Sequence, residues 1–132
     1  MSELLTNVPD VELTEAIARV AAVVEGLPEA YEEDAWVGVR WRIRMHTIAH
    51  VRPLPHRGPG AVGVTFRATA EDAAVYAHLG LPWFKPDWSP TVAGLVLDDK
   101  TDWTEVAEVL TDSYCLMAPK KLARIVEARI DP

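Results

Sequence analysis

From Trp36 to Val51 the chain switches to a period of two. Trp41, Ile43, Met45, Thr47, Ala49 and Val51 alternate with Arg40, Arg42, Arg44, His46, Ile48 and His50. Side chains two apart share one face of a strand, so this pattern specifies β structure with one apolar face and one face carrying arginine. Sixteen residues is long for a single strand, and a turn near Met45 to Thr47 is expected to divide it into a hairpin. Whatever else the chain does, it must build a sheet around this segment and cover one side of it.

The same segment is set apart by charge. Residues 35–70 hold six arginines (Arg40, Arg42, Arg44, Arg52, Arg57, Arg67) and no Asp or Glu, although the whole chain carries a net charge of −7. Residues 1–34 hold nine acids against Arg19 alone, and residues 71–132 hold eleven acids against six Lys or Arg. The overall charge repels a polyanion at long range, while the central segment would attract one locally. At 132 residues the chain is expected to form a single domain, 1–132. Cys115, the only cysteine, excludes an internal disulfide. The acidic, polar start, the lack of an apolar run of about 20 residues and the reduced cysteine predict a cytoplasmic protein that does not engage a membrane.

On either side of the basic segment the periodicity is helical. Leu13, Ile17, Val20, Ala21 and Val24 recur at three and four residues, predicting a helix over 11–25 with Asp10 as its N-cap. Glu29 to Asp34 reads as a short acidic connection. Val62 to Arg67 alternates again and forms a third strand. Thr69 caps a short helix that Gly80 stops. A short edge strand is expected near Trp83 to Lys85, and another strand over Thr91 to Leu97. Thr101 or Asp102 caps a helix running to about Cys115, with Trp103, Val106, Val109 and Leu110 on one face. Pro119 opens a last helix to Ala128, with Leu122, Ile125 and Val126 inward. The predicted fold is α+β: a two-layer antiparallel sheet with helices on one face, in the order α-β-β-β-α-β-β-α.

Asp112-Ser113-Tyr114, followed by Ala118-Pro119-Lys120-Lys121-Leu122, is similar to the Ser-Tyr and Pro-Lys-Lys-Leu ending of the MmcQ/YjbR family. The resemblance extends in order over about residues 14–126. It implies the same two-layer fold and a DNA-binding role through a double wing of strands. The hairpin that the family often builds with Gly-Gly or Gly-Lys is here Arg-Ile-Arg-Met-His. The loop Trp83-Phe84-Lys85-Pro86-Asp87-Trp88 stands where the family frequently has Lys-x-His-Trp, with Lys85 and Trp88 as partial counterparts.

Two fates are open to the arginines. They can pair with the acids of Glu29 to Asp34 as a surface charge ladder. Alternatively, Arg40, Arg42, Arg44, Arg52 and Arg67, with Lys85, can bind nucleic-acid phosphate or another anion through guanidinium forks. Trp83, Phe84 and Trp88 in the Pro-rich loop are candidates for stacking on a base or planar ligand. Trp83 and Trp88, with Tyr114, could instead line a pocket between sheet and loop. Trp36, Trp41 and Trp103 are read as core, as is Tyr114 in the simpler case, with its hydroxyl on an internal partner. His46, His50 and His56 fall within eleven residues, but His46 and His50, about 13 Å apart along a strand, could share a metal only if the turn fell between them. No nucleophile elbow or phosphate-cradling glycine loop surrounds Ser113 or Cys115. The expectation is a non-enzymatic binding module without cofactor or metal, its partner DNA or an anionic small molecule. The alternative is a small-molecule-binding or resistance-type protein with an aromatic pocket. A homodimer through an exposed sheet or helix would account for the same residues.

Overall fold

The computed structural model describes the backbone of residues 2–130 and the side chains of residues 12–129. Its elements run α1 (Ser2–Val24), β1 (Tyr31–Asp34), β2 (Val39–Ile43), β3 (His46–Pro53), a 3-10 turn (Pro55–Arg57), β4 (Val62–Arg67), α2 (Ala70–Leu79), β5 (Trp83–Phe84), β6 (Val92–Leu97), α3 (Trp103–Met117) and α4 (Lys120–Ile130). The six strands form one sheet in the order β1-β2-β3-β4-β6-β5, every neighbouring pair antiparallel. This is the expected α+β class, with one strand and one helix more than the expected order. No described helix is long and apolar enough to cross a membrane.

The extra strand, β1, lies where an acidic connection was expected. Tyr31–Asp34 has no apolar alternation to announce it, and it is mostly exposed. What orders it is pairing at the sheet edge: Tyr31 lies opposite Arg42 and Glu33 opposite Arg40, so opposite charges face each other across the strands. The hairpin turn comes earlier than predicted, at Arg44–Met45, between Ile43 and its partner His46. Arg44 takes φ 56°, the positive value that the first position of a tight hairpin turn demands. Arg44 therefore leaves the strand and does not continue the row of Arg40 and Arg42. A bulge follows: Arg42 pairs with Thr47 but Trp41 pairs with Ala49, leaving Ile48 as the extra residue, itself buried.

One face of the sheet carries the core. Trp41, Ile43, Ala49, Val51, Val62, Val64, Phe66, Ala93, Leu95 and Leu97 pack against Ala16, Val20 and Val24 of α1, Ala73 of α2, Val106, Leu110 and Tyr114 of α3, and Leu122 and Val126 of α4. Helix ends follow the sequence signals: Thr69 Oγ1 accepts from the Asp72 N–H at 3.1 Å, and Asp102 Oδ1 accepts from Thr104 and Glu105. Three expectations need correction. α1 begins at Ser2, so Asp10 lies inside the helix and is not its cap. Trp36 is fully exposed, because it sits in the β1–β2 turn and not on a strand. Ile125 is also exposed, since α4 turns Leu122, Ala123 and Val126 toward the core instead.

Ser113 ties the two layers together. Its Oγ accepts from the Arg67 N–H at 2.9 Å and donates to the Ile48 carbonyl at 2.7 Å, serving the end of β4 and the bulge of β3 from one buried position on α3. Tyr114, fully buried beside it, donates to the Pro28 carbonyl at 2.8 Å.

Candidate functional site on the helix-free face of the sheet

Strand alternation and register place Arg40, His50, Thr65 and Gly94 in one row across the face that no helix covers, with Glu33 at one end and Phe84 at the other. Arg42, Arg52, Gly63 and Arg67 flank that row. The middle of this face is not bare. Leu54, from the connection after β3, is buried where Gly63 leaves room, and a Cβ on Gly63 would collide with it. The Phe84 ring lies over Gly94 in the same way. These two glycines let a second, thin layer of side chains settle on the sheet, and β4 is buried on both sides as a result.

The arginines divide into two groups. Arg40 pairs with Glu33 through both Nη2 and Nε, the latter at 2.6 Å. Arg42 reaches the same carboxylate oxygen with Nη1 at 3.4 Å and donates Nη2 to the Met45 carbonyl at 2.5 Å. Its Nε is buried with no hydrogen-bond partner. Hydrogen bonding from Arg40, aided by the charges of Arg40 and Arg42, holds the Glu33 carboxyl below the ordinary value, against the opposing effect of desolvation. Arg44 pairs with Glu29 at 3.2 Å, an exposed contact. The charge ladder to the 29–34 acids is therefore present for these three.

Arg52, Arg57 and Arg67 have no carboxylate in salt-bridge range among the described residues. Arg52 is half-buried. Its Nη2 donates to His50 Nδ1 at 2.6 Å and lies 3.4 Å from Thr65 Oγ1, while its Nε is buried and unpartnered. Burial pushes its guanidinium below the ordinary arginine value, a direction that reports an under-compensated charge in a group that stays protonated. The Arg52 guanidinium lies over the Trp88 ring at 5.7 Å, and Arg57 over Phe84 at 4.9 Å. Trp88 remains 63% exposed. Lys85 donates to the carbonyl of its neighbour Pro86 at 3.1 Å.

The predicted aromatic set does not converge. Trp83 turns to the helix side, stacked on Tyr76 at 4.5 Å and edge-on to Phe66, and belongs to the core margin. Tyr114 is buried in α3, and only Trp88 stands on the helix-free face in the open. Alternation assigns Trp83 and Phe84 to opposite sides, so Phe84 is the one of the two on the helix-free face, with Arg57, which was not expected among the anion-binding arginines, over its ring. A cleft of about 850 Å³ does exist elsewhere, between α1 and the end of the sheet. Glu12, Glu15, Asp98 and Asp99 line it, with Arg19 stacked on Trp103 at 5.0 Å. It contains none of the three predicted aromatics. Among the described residues no three His, Cys, Asp or Glu side chains gather as metal ligands. His50 is engaged by Arg52 and by the Val37 carbonyl, and burial pushes the Cys115 thiol upward.

No family model matches this chain, and no curated protein matches it by sequence. Its fold is similar to that of the Deinococcus radiodurans protein DR2400, a DUF419-domain protein known from a crystal structure. The TM-score is 0.62 and the identity 12%, over 84% of this chain and 87% of that one.

Proposed function

We propose that this chain is a non-enzymatic module of the MmcQ/YjbR type, the family to which DUF419 corresponds, and that it binds DNA on the helix-free face of its sheet. The observation that carries the reading is Arg52: a half-buried guanidinium with no carboxylate partner among the described residues, stacked on an exposed tryptophan. A buried charge short of counter-charge gains when an external anion supplies it. Arg67 lies on the same face and Arg57 at its margin, both able to meet further phosphates. Arg40, Arg42 and Arg44 contribute less, because Arg40 and Arg42 share the Glu33 carboxylate and Arg44 pairs with Glu29. The likeness in fold agrees with the Ser-Tyr and Pro-Lys-Lys-Leu resemblance, and both support the family reading.

The decisive measurement is an oligonucleotide titration across salt concentration. Binding that weakens as salt rises, with a logarithmic slope of about −2 to −3 for three phosphate contacts, is the expected result. Arg52→Ala should reduce that slope by about one contact, whereas Arg44→Ala should leave it nearly unchanged. Absence of binding at low salt to any oligonucleotide would remove the proposal.

A further inference from the structure

Three arginines without a carboxylate partner among the described residues, on a protein of net charge −7, supply only modest electrostatic attraction to a phosphate backbone. The helix-free face offers a second source. Trp36 is fully exposed and Trp88 is 63% exposed, and each lies in a loop at the margin of this face. Trp36 lies in the β1–β2 turn, closed by the Ala35 N–H to the Gly38 carbonyl at 3.2 Å. The carbonyl of the next residue, Val37, accepts from His50 Nε2 at 2.6 Å, which fastens that turn to the face. Trp88 lies in the β5–β6 connection with Arg52 over its ring. In the strand order β1-β2-β3-β4-β6-β5, the two tryptophan loops fall on opposite sides of β3, which carries Arg52 and His50.

Resting on the nucleic-acid reading above, we infer that the face binds single strands, with bases stacked on Trp36 and Trp88 and the intervening phosphate held by Arg52. The chain Val37 carbonyl, His50, Arg52, Trp88 is continuous through contacts of 2.6 Å, 2.6 Å and 5.7 Å, so the turn that bears Trp36, the Arg52 cation and the Trp88 ring are mutually positioned. A duplex hides its base faces within the stack and offers these tryptophans nothing but its edges. A single strand presents both π-faces and phosphate, and stacking tolerates any base. Large aromatics left in water at the two margins of an arginine-bearing face, with neither helix nor loop covering them, are what such a partner requires.

The test compares three ligands at one low salt concentration: a dT oligonucleotide, an abasic oligonucleotide of equal length, and a duplex of the same length. Expected is binding of dT at least about tenfold tighter than of the abasic strand or the duplex. Trp36→Ala and Trp88→Ala should each weaken dT binding about tenfold while leaving the abasic strand unaffected. Trp88→Phe, which keeps a ring beneath Arg52, should retain most of the dT affinity and excludes misfolding as the cause of a loss. Equal binding of dT and abasic strands, or a preference for duplex, would overturn the stacking inference and leave the phosphate-binding proposal standing. Failure of all three ligands to bind would overturn both.

Discussion

Arg52 Nη2 donates to His50 Nδ1 at 2.6 Å, and because a guanidinium has no acceptor, that contact fixes the imidazole as the neutral tautomer protonated on Nε2. The Nε2 proton is then given to the Val37 carbonyl, also at 2.6 Å. One neutral histidine thus joins the β1–β2 turn to the central arginine. A second proton on Nδ1 would place two donors against each other.

The first prediction concerns that histidine. Burial is the largest influence on His50 and lowers its pKa from 6.5, the Arg52 and Arg40 charges act in the same direction, and the Val37 carbonyl opposes them. With the folded value below the unfolded one, the unfolded chain binds more protons between them, so stability rises with pH across that interval. This contribution is complete above about pH 6.5 and is lost as pH falls through the unfolded and then the folded value. Histidine NMR should place the His50 midpoint below the ordinary imidazole value, and Arg52→Gln should move it upward. An unshifted midpoint would contradict the hydrogen-bond assignment.

Glu33 restrains two arginines at once, so neutralising it should increase anion binding. Glu33→Gln is expected to tighten oligonucleotide binding severalfold at low salt and to steepen the salt dependence toward two further phosphate contacts, read by fluorescence anisotropy. A weaker complex would mean that Glu33 orients Arg40 and Arg42 more than it masks them.

Ser113 serves two backbone groups from a fully buried position. Ser113→Ala should destabilise the fold by about 2 kcal/mol, because the Arg67 N–H and the Ile48 carbonyl lose their partner without access to water. Urea denaturation would measure it. Tyr114→Phe, which deletes only the bond to the Pro28 carbonyl, should lose about 1 kcal/mol.

Arg44 holds φ 56°, where a side chain is unfavourable, and its ion pair with Glu29 is exposed. Arg44→Gly should therefore raise stability by up to about 1 kcal/mol. A thermal melt that falls on this substitution would show that the Glu29 contact outweighs the backbone relief.

Much of the fold can be read in the chain because it rests on local rules. Period-two alternation announced β2, β3 and β4, helical spacing announced α1 and α3, and Thr69 and Asp102 marked their helix starts by their capping oxygens. β1 was hidden because Tyr31–Asp34 has no apolar face of its own and becomes a strand only beside β2. The Trp36 prediction failed for a related reason: alternation extrapolated past Val39 assigned a turn residue to a strand face.

By itself the sequence determined that a basic, two-sided β segment lies within an acidic α+β domain, since side-chain period and local charge are properties of neighbours along the chain. Which arginines are spent internally was decided only by tertiary structure. Glu33 meets Arg40 and Arg42 through strand register, and Glu29 meets the turn residue Arg44. Arg52 instead meets His50 of its own strand and an indole brought from a distant loop. A salt bridge depends on a few ångströms between groups far apart in the chain, and only the folded sheet sets that distance.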